Sequence, residues 1–131
     1  MAGRSTLVGL PLFHLMLNRG ATITLCHSST CNLNELTREA DVVVSAVGKP
    51  NLITALKPGG VAIDIGISRD SKGKLCGDIS VEAKEGCSLA TPVPGGVGPL
   101  TVAMLMCNSV RLWKQQMLLE RIRLGFEKLH I

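Results

Sequence analysis

Residues 91–101, TPVPGGVGPLT, contain three prolines and three glycines, the two residue types that most strongly restrict or widen the choice of backbone angles. Proline fixes φ, and glycine permits positive φ or the close approach of another molecule. An ordinary surface turn needs one or two such residues, whereas a loop that lies along a flat ligand needs several. We therefore predict a ligand-contacting loop; a rigid connector without a ligand is the alternative. The expected contact residues are Pro94, Gly95, Gly96, Val97 and Gly98.

A second pattern, G-R-S-x-x-V-G-x-P, begins at Gly3. It places Gly3, Gly9 and Pro11 at the mouth of the first predicted helix, where free N–H groups and the positive end of the helix dipole suit a pyrophosphate. The spacing differs from the common G-x-G-x-x-G fingerprint of dinucleotide-binding proteins. The alternative is that Gly3 only forms a turn and Gly9 only lets the helix pack on the sheet.

Polar residues follow the first two strand positions, at the edge where doubly wound sheets bind ligands. Arg4 lies at the first position, and His27 and Ser28 end the second. No acidic residue occurs there, although one commonly holds the ribose of NAD. Since hydroxyls and an arginine accept a 2′-phosphate, the pattern favours NADP over NAD. His27 has no visible acid–base partner, so we interpret it as a binding residue, or else as a capped strand end.

Glycines after the later strands mark further points of close approach. Gly48 follows one apolar run, and Gly66 and Ile67 follow the next, so we expect all three to meet a ribose or nicotinamide. Asp64 lies inside an apolar strand and needs a partner, which makes a structural role more probable than a catalytic one on physical grounds. Asp78 is a second candidate carboxylate, and the structural alternative to a catalytic role is that it caps a loop.

Alternating apolar and helical segments predict the α/β class, a Rossmann-like doubly wound parallel sheet with helices on both faces. The expected strands are residues 21–26, 41–47, 61–67 and 88–92. The expected helices are residues 10–19, a short one capped by Asn32 or Asn34 and ending near Glu39, 51–57, 81–85, and a long one from Pro99. Residues 68–74 are expected to form an exposed loop.

The strand that should feed the phosphate loop is short, since only Met1 and Ala2 precede Gly3. Its central slot must be empty, filled from elsewhere, or occupied in a longer parent protein. We assign residues 1–110 to the nucleotide-binding domain and residues 111–131 to a helical extension. An apolar stripe marks that extension, although Gly125 argues against one unbroken helix. Its members are Leu112, Leu119, Ile122, Phe126 and Leu129.

Composition narrows the function class. The 131 residues carry a net charge of +4, mostly after residue 110, which fits the wet face of a terminal helix better than a nucleic-acid surface. Five cysteines without a C-x-x-C pair indicate reduced thiols and no metal site. From the start MAGRS we expect no secretory leader, and since no run of 18 apolar residues occurs we expect no spanning helix. We expect a cytoplasmic or mitochondrial protein, not a secreted or membrane one.

Several segments together resemble the bifunctional methylenetetrahydrofolate dehydrogenase/cyclohydrolase family, the FolD-type enzymes. They are GRSTLVGLP, ATITLCHSST, ADVVVSAVGKP, KPGGVAIDIGI, GDIS and the TPVPGGVGPLT loop. The match covers residues 3–110 and corresponds to the C-terminal, cofactor-binding half. The resemblance implies NADP contacts at Gly3, Arg4 and Ser5, at Ser28 and at Ile67. We add Thr101 as a cofactor-binding residue, and the 94–98 loop then becomes a substrate loop.

The catalytic lobe of that family uses a Tyr-x-x-x-Lys arrangement, and this chain has no tyrosine. No catalytic residue is therefore assigned, and Lys49 and Lys57 are interpreted as solvated. The first hypothesis is the NADP-binding half of a one-carbon enzyme, which would meet a tetrahydrofolate derivative if a catalytic lobe is supplied. The second is a non-catalytic nucleotide-binding or interaction module, and the third a fragment without a stable fold. A homodimer or another covering partner is expected.

Overall fold

A parallel β-sheet forms the centre of the protein, whose computed structural model describes residues 1–127 and side-chain exposure as far as Arg123. Strands β1 (Val42–Ser45), β2 (Val61–Asp64) and β5 (Leu89–Ala90) lie in the order β1-β2-β5. Val42 of β1 is opposite Val61 of β2, and Val61 is opposite Leu89. The parallel direction and the strand–helix alternation confirm the predicted Rossmann-like α/β class.

Helices α1 (Gly9–Leu17) and α2 (Leu33–Glu39) precede β1, and α3 (Val81–Glu85) lies between β2 and β5 in the chain. Ser80 begins α3 by accepting a hydrogen bond from the amide of Ala83, which satisfies one of the orphan donors of the first turn. Five of the buried apolar residues pack into one core cluster. They are Ala2, Val43, Ile53, Ala62 and Ile79.

The first three residues extend the sheet. Ala2 forms parallel bridges to Cys26 on one side and to Ser45 of β1 on the other. Its amide donates to Val44 O at 2.8 Å, and the Met1 ammonium donates to Thr24 O at 2.9 Å. The central position predicted to be short of a strand is thus filled at its carboxyl end by this stub.

A cavity of about 560 Å³ continues from the stub toward the amino ends of the strands. We call it the strand slot. It is lined by Met1 and Ala2, by residues 21–24 on one side and by Val42–Val44 on the other. The strand slot lies where the remainder of a central strand would run.

Three local expectations were wrong. Residues 51–57 form no helix; Ile53 instead makes a parallel bridge to Ile79. Residues 68–74 are not a plain loop, because β3 (Ser68–Arg69) and β4 (Leu75–Cys76) form an antiparallel hairpin around them. Residues 21–26 form only the Cys26 bridge, since the short stub offers few backbone partners. In each case the distant partner, not the local pattern, decided the backbone.

The entry to α2 also differs from expectation. Asn32 precedes the helix in the left-handed conformation (φ 57°) and makes no capping bond with its side chain. The Asn34 side chain accepts instead from the amide of Thr54, at 2.9 Å. Asn34 therefore ties α2 to the 51–57 segment rather than capping its own helix.

Helix α4 (Val97–Glu127) runs without interruption through Gly125. By backbone contacts the chain divides into a unit of Met1–Val97 and a second unit that starts at Gly98; the boundary expected at residue 110 stays a prediction. Leu112, Leu119 and Ile122 are exposed, the backbone of Phe126 is helical, and Leu129 lies outside the described residues. None of the helices within residues 1–127 combines the length and apolar character needed to cross a membrane.

Candidate functional site

A cavity of about 390 Å³ opens where the stub, the 26–30 segment and β1 end. We call it the edge cavity. It brings together five of the residues predicted to bind a cofactor, which are Gly3, Arg4, Ser5, His27 and Ser28. Its other lining residues are Ala2, Cys26, Thr30, Leu33, Ala46, Val47, Lys49 and Leu52. The position is the ligand-binding edge of a doubly wound sheet.

The turn from Gly3 to Gly9 is shaped by close backbone contacts. Gly3 has φ 106°, and a Cβ there would lie 2.7 Å from Ala46 O. A Cβ at Gly9 would overlap Gly3 O, so both positions require glycine. Gly9 is the first residue of α1, one residue before the predicted start. Close contacts at the turn therefore explain both glycines, Gly9 through the Gly3–Arg4 backbone and not through the sheet, and their part in binding a phosphate stays a prediction.

Ser5 satisfies part of the α1 N-terminus. Its Oγ accepts from the amides of Val8 and Gly9, and its carbonyl accepts from Leu10 at 3.0 Å. The prediction of a helix mouth with entirely free N–H groups was thus too broad. Within the described chain, no residue accepts a hydrogen bond from the amides of residues 4–7, and these amides remain as donors beside the edge cavity.

Residues 27–30 form a tight turn on the opposite side of the cavity. Thr30 Oγ1 accepts from the His27 amide at 2.9 Å, and the Thr30 amide donates to His27 O. His27 Nδ1 accepts from the Ser29 amide at 3.1 Å, which places the proton of a neutral ring on Nε2. His27 and Ser28 are exposed, and His27 has no ion-pair partner within residues 1–127. These local contacts fit the alternative of a capped strand end, and the interpretation of His27 as a binding residue stays a prediction.

The loop of residues 46–49, which follows β1, forms the third wall. Its amides at Val47, Gly48 and Lys49 donate to the Asp78 carboxylate at 2.7, 2.9 and 2.9 Å. Gly48 has φ 78°, so glycine is required for the backbone conformation. Gly48 does not line the cavity itself, but Val47 and Lys49 do. Asp78 is the loop-capping carboxylate that the sequence suggested.

Asp64 has the partner that its burial demanded. Lys84 Nζ lies 2.8 Å from Asp64 Oδ2, and the amides of Asp78 and Ile79 donate to the same carboxylate at 3.0 Å. Asp64 is 2% exposed. Its amide donates to Thr91 Oγ1 at 2.8 Å, which attaches β2 to the start of the predicted substrate loop. Asp64 is therefore structural, as the residue pattern favoured.

Gly66 and Ile67 differ from each other in what surrounds them. Gly66 is buried, and a Cβ there would overlap the Asp78 carboxylate, so the close approach is made by this chain itself. This corrects the predicted reason for the glycine. Ile67 is 58% exposed and is open to a ligand. Neither residue lines the edge cavity.

The substrate loop turns tightly within the first unit. Gly95 has φ 98°, and a Cβ at Gly96 would overlap Pro92 O, so the two glycines are needed for the turn itself. Pro94 and Gly95 are exposed, whereas Gly96 and Val97 are half-buried. Gly98 and Thr101 belong to the second unit, on α4. Within the first unit, Pro94, Gly95, Gly96 and Val97 do not line the edge cavity.

The model of the tetrahydrofolate dehydrogenase/cyclohydrolase NAD(P)-binding domain matches residues 1–117. The chain belongs to this family. This match confirms the predicted resemblance to the FolD-type family. The solved structures that match confirm the predicted Rossmann-like fold.

Bifunctional protein FolD of Burkholderia orbicola is 54% identical over 111 residues, which are 82% of this chain and 39% of the relative. The protein of the same name from Nitrosospira multiformis is 54% identical over 113 residues, 84% of this chain and 39% of the relative. The crystal structure of the FolD methylenetetrahydrofolate dehydrogenase/cyclohydrolase from Campylobacter jejuni matches with a TM-score of 0.83 at 42% identity, covering 88% of this chain and 42% of that one. The chain thus spans about two fifths of these relatives.

The family model describes an NAD(P)-binding domain, and the edge cavity is where the described structure brings together five of the residues predicted to bind such a nucleotide. Arg4 and Ser5 line the cavity, the amides of residues 4–7 have no acceptor within residues 1–127, and the Arg4 side chain carries a positive charge. Sequence reasoning missed Thr30 and Lys49 as lining residues, although both stand next to predicted ones. It also missed Lys84, since a buried carboxylate does not tell which distant lysine will reach it.

Proposed function

We propose that this chain is the NADP-binding half of a folate-dependent oxidoreductase/cyclohydrolase of one-carbon metabolism. The observation that carries the proposal is the edge cavity, where the Gly3–Ser5 turn and the His27–Thr30 turn face each other at the ligand edge of the sheet. The family match supports it, because the relatives are bifunctional FolD proteins.

Preference for NADP is supported by the side chains of the cavity. Arg4, Ser28 and Thr30 line it, and no Asp or Glu does so among the described residues. A 2′-phosphate gains charge-assisted hydrogen bonds from an arginine and hydroxyls, whereas NAD offers only a ribose hydroxyl there. We assign the cofactor contacts to Gly3, Arg4, Ser5, His27 and Ser28 of the edge cavity, and extend them to Gly48 and the exposed Ile67. Gly66 is left out because the Asp78 carboxylate fills the space beside it, and Thr101 stays a prediction from the sequence.

The reaction would need this half for orientation. NADP, when bound, supplies the hydride acceptor for the methylene carbon of 5,10-methylenetetrahydrofolate. This chain's residues bind the phosphates, hold the walls of the cavity and present the 94–98 loop to the folate. The methenyl product would then be hydrolysed to 10-formyltetrahydrofolate in a site completed by a catalytic lobe. We propose that such a lobe, or a second copy, covers this chain in a cytoplasmic or mitochondrial setting.

Cofactor choice is the first expected result. Arg4→Ala or Ser28→Ala should weaken NADP binding by about 1.5–3 kcal/mol, the value of a hydrogen bond to a charged group, and leave NAD binding nearly unchanged. Titration calorimetry with both nucleotides measures this. Arg69→Ala is the matched control, because Arg69 is exposed and bonds Gly73 O in the hairpin outside the cavity. Equal NAD and NADP affinities, unmoved by either change, would refute the preference.

Catalysis is the second expected result. The purified chain should neither reduce NADP with methylenetetrahydrofolate nor hydrolyse the methenyl form, because it contains no tyrosine for the Tyr-x-x-x-Lys arrangement. Spectrophotometric assays, with the Burkholderia FolD protein as positive control, test this. Turnover that Lys49→Ala abolishes would show that a catalytic base lies in this half. Turnover restored by an added lobe separates the enzyme half from a purely nucleotide-binding module, and a folded chain that binds NADP excludes an unstable fragment.

A further inference from the structure

Asp78 lies at the centre of a buried polar cluster behind the edge cavity. It is 0% exposed, and its carboxylate accepts four hydrogen bonds. Three come from the consecutive amides of Val47, Gly48 and Lys49, and the fourth comes from Ser45 Oγ at 2.8 Å. Resting on the proposed function, we infer that Asp78 is a positioning residue that fixes the 46–49 loop as a wall of the nucleotide site.

The hydrogen bonds, and not an ion pair, compensate the buried charge. Within residues 1–127 no lysine, arginine or histidine forms an ion pair with Asp78, whereas Asp64 has Lys84. A buried carboxylate without a cation needs several donors, and three successive backbone amides form an anion-binding nest. The chain thus uses its own carboxylate to hold a loop whose amides would otherwise be unpaired.

The position of the carboxylate is itself fixed from two sides. The Asp78 amide donates to Asp64 Oδ1 at 3.0 Å, and the Asp78 carbonyl accepts from the Ile53 amide at 2.9 Å. Gly66 leaves the space that the Asp78 side chain fills. The backbone and the side chain of Asp78 are therefore both held in place, and the amides of the 46–49 loop bind to a carboxylate whose position is fixed.

The loop passes this arrangement to the nucleotide site. The Ala46 carbonyl lies directly against Gly3, and the Ala46 amide donates to Ala2 O at 2.9 Å. Ala46, Val47 and Lys49 line the edge cavity together with Gly3, Arg4 and Ser5. A loop that moved outward would widen the cavity opposite the phosphate-binding turn. Asp78 acts on the ligand only through this loop, since it does not line the cavity.

Asp78→Asn tests the inference with little change of shape. In either orientation its NH₂ group faces at least one backbone N–H of the loop, so the nest loses acceptors. Amide hydrogen exchange at Val47, Gly48 and Lys49 should accelerate by about tenfold or more, and the Kd for NADPH should rise by a similar factor. Both are measured well below the unfolding midpoint. Thr37→Val is the control: it removes a buried hydroxyl that bonds Ala55 O at 2.7 Å, outside the edge cavity.

A glycine pair provides a second test if Asp78→Asn fails to fold. Gly66→Ala should push the carboxylate out of the nest and reproduce both effects, whereas Gly86→Ala should not, since its Cβ meets nothing within 4 Å. Loop exchange and NADPH affinity that match the Thr37→Val and Gly86→Ala controls would overturn the inference. If the unaltered chain does not bind NADPH, the proposed function fails, and the loop exchange rates alone then decide whether Asp78 holds the loop.

Discussion

Asp64→Ala is expected to lower the free energy of unfolding by about 3–5 kcal/mol, the usual cost of removing one partner of a buried ion pair. The substitution leaves the Lys84 ammonium, which is only 16% exposed, without its counter-charge. It also leaves the amides of Asp78 and Ile79 without their acceptor in a part of the core that excludes water. Lys84 Nζ also donates to Thr91 O at 3.3 Å, so the loss of its counter-charge affects the residue where the substrate loop begins.

A double-mutant cycle identifies the cause. Urea unfolding of Asp64→Ala, Lys84→Met and the double variant should show that the second substitution recovers part of the loss, because it removes the stranded charge. Asp41→Ala is the matched control, an acid–lysine pair at the surface, where Asp41 is 86% exposed and Lys57 lies 2.5 Å away. The hydrogen bond from Lys57 lowers the pKa of Asp41, but solvent screens this exposed pair. The urea midpoint of Asp41→Ala should therefore stay close to that of the unaltered chain. Equal losses from Asp64→Ala and Asp41→Ala would show that burial of the pair is unimportant.

An apolar strand of about five to six residues added before Met1, the usual strand length, is expected to raise the thermal midpoint. It would continue the stub into the strand slot, between residues 21–24 and β1. Val44 O accepts from the Ala2 amide, so the backbone groups of Val42 and Val44 face the stub side of β1. An added strand on that side could form hydrogen bonds with them. Two buried Val-sized side chains would contribute about 3–6 kcal/mol at 1.5–3 kcal/mol each.

Removal of the terminal charge adds to this effect. Desolvation lowers the pKa of the Met1 ammonium, because the half-buried site disfavours its charged form. An N-terminally acetylated chain separates this contribution from strand pairing, and a Gly/Ser extension of equal length controls for added mass. Sedimentation velocity should also show that the unextended chain self-associates and that the apolar extension reduces this. A monodisperse monomer with a sharp transition that the strand leaves unchanged would show that the sheet is closed without it.

The residue pattern alone determined the fold class, because it depends on local signals. The β-branched run at Val42–Val44 and the apolar run at Val61–Ile63 predicted parallel strands, and both strands were found, although Val42 is exposed and Val61 and Ile63 are half-buried. The absence of an acid after Cys26, and the hydroxyl residues in its place, likewise needed no structure to suggest a preference for NADP, which stays a prediction. The family resemblance rested on the same short segments, and the family match confirmed it.

The roles of the buried acids needed the tertiary structure. Asp64 predictably required a partner, but the choice of Lys84, twenty residues away, depends on how α3 packs against β2. Gly66 suggested a ligand contact, and only the folded chain shows that Asp78 occupies that space. Residues 51–57 and 68–74 were misassigned for the same reason, since their backbone groups pair with distant segments. Local propensity sets which elements can form; long-range hydrogen bonds and the exclusion of water decide where each buried polar group finds its partner.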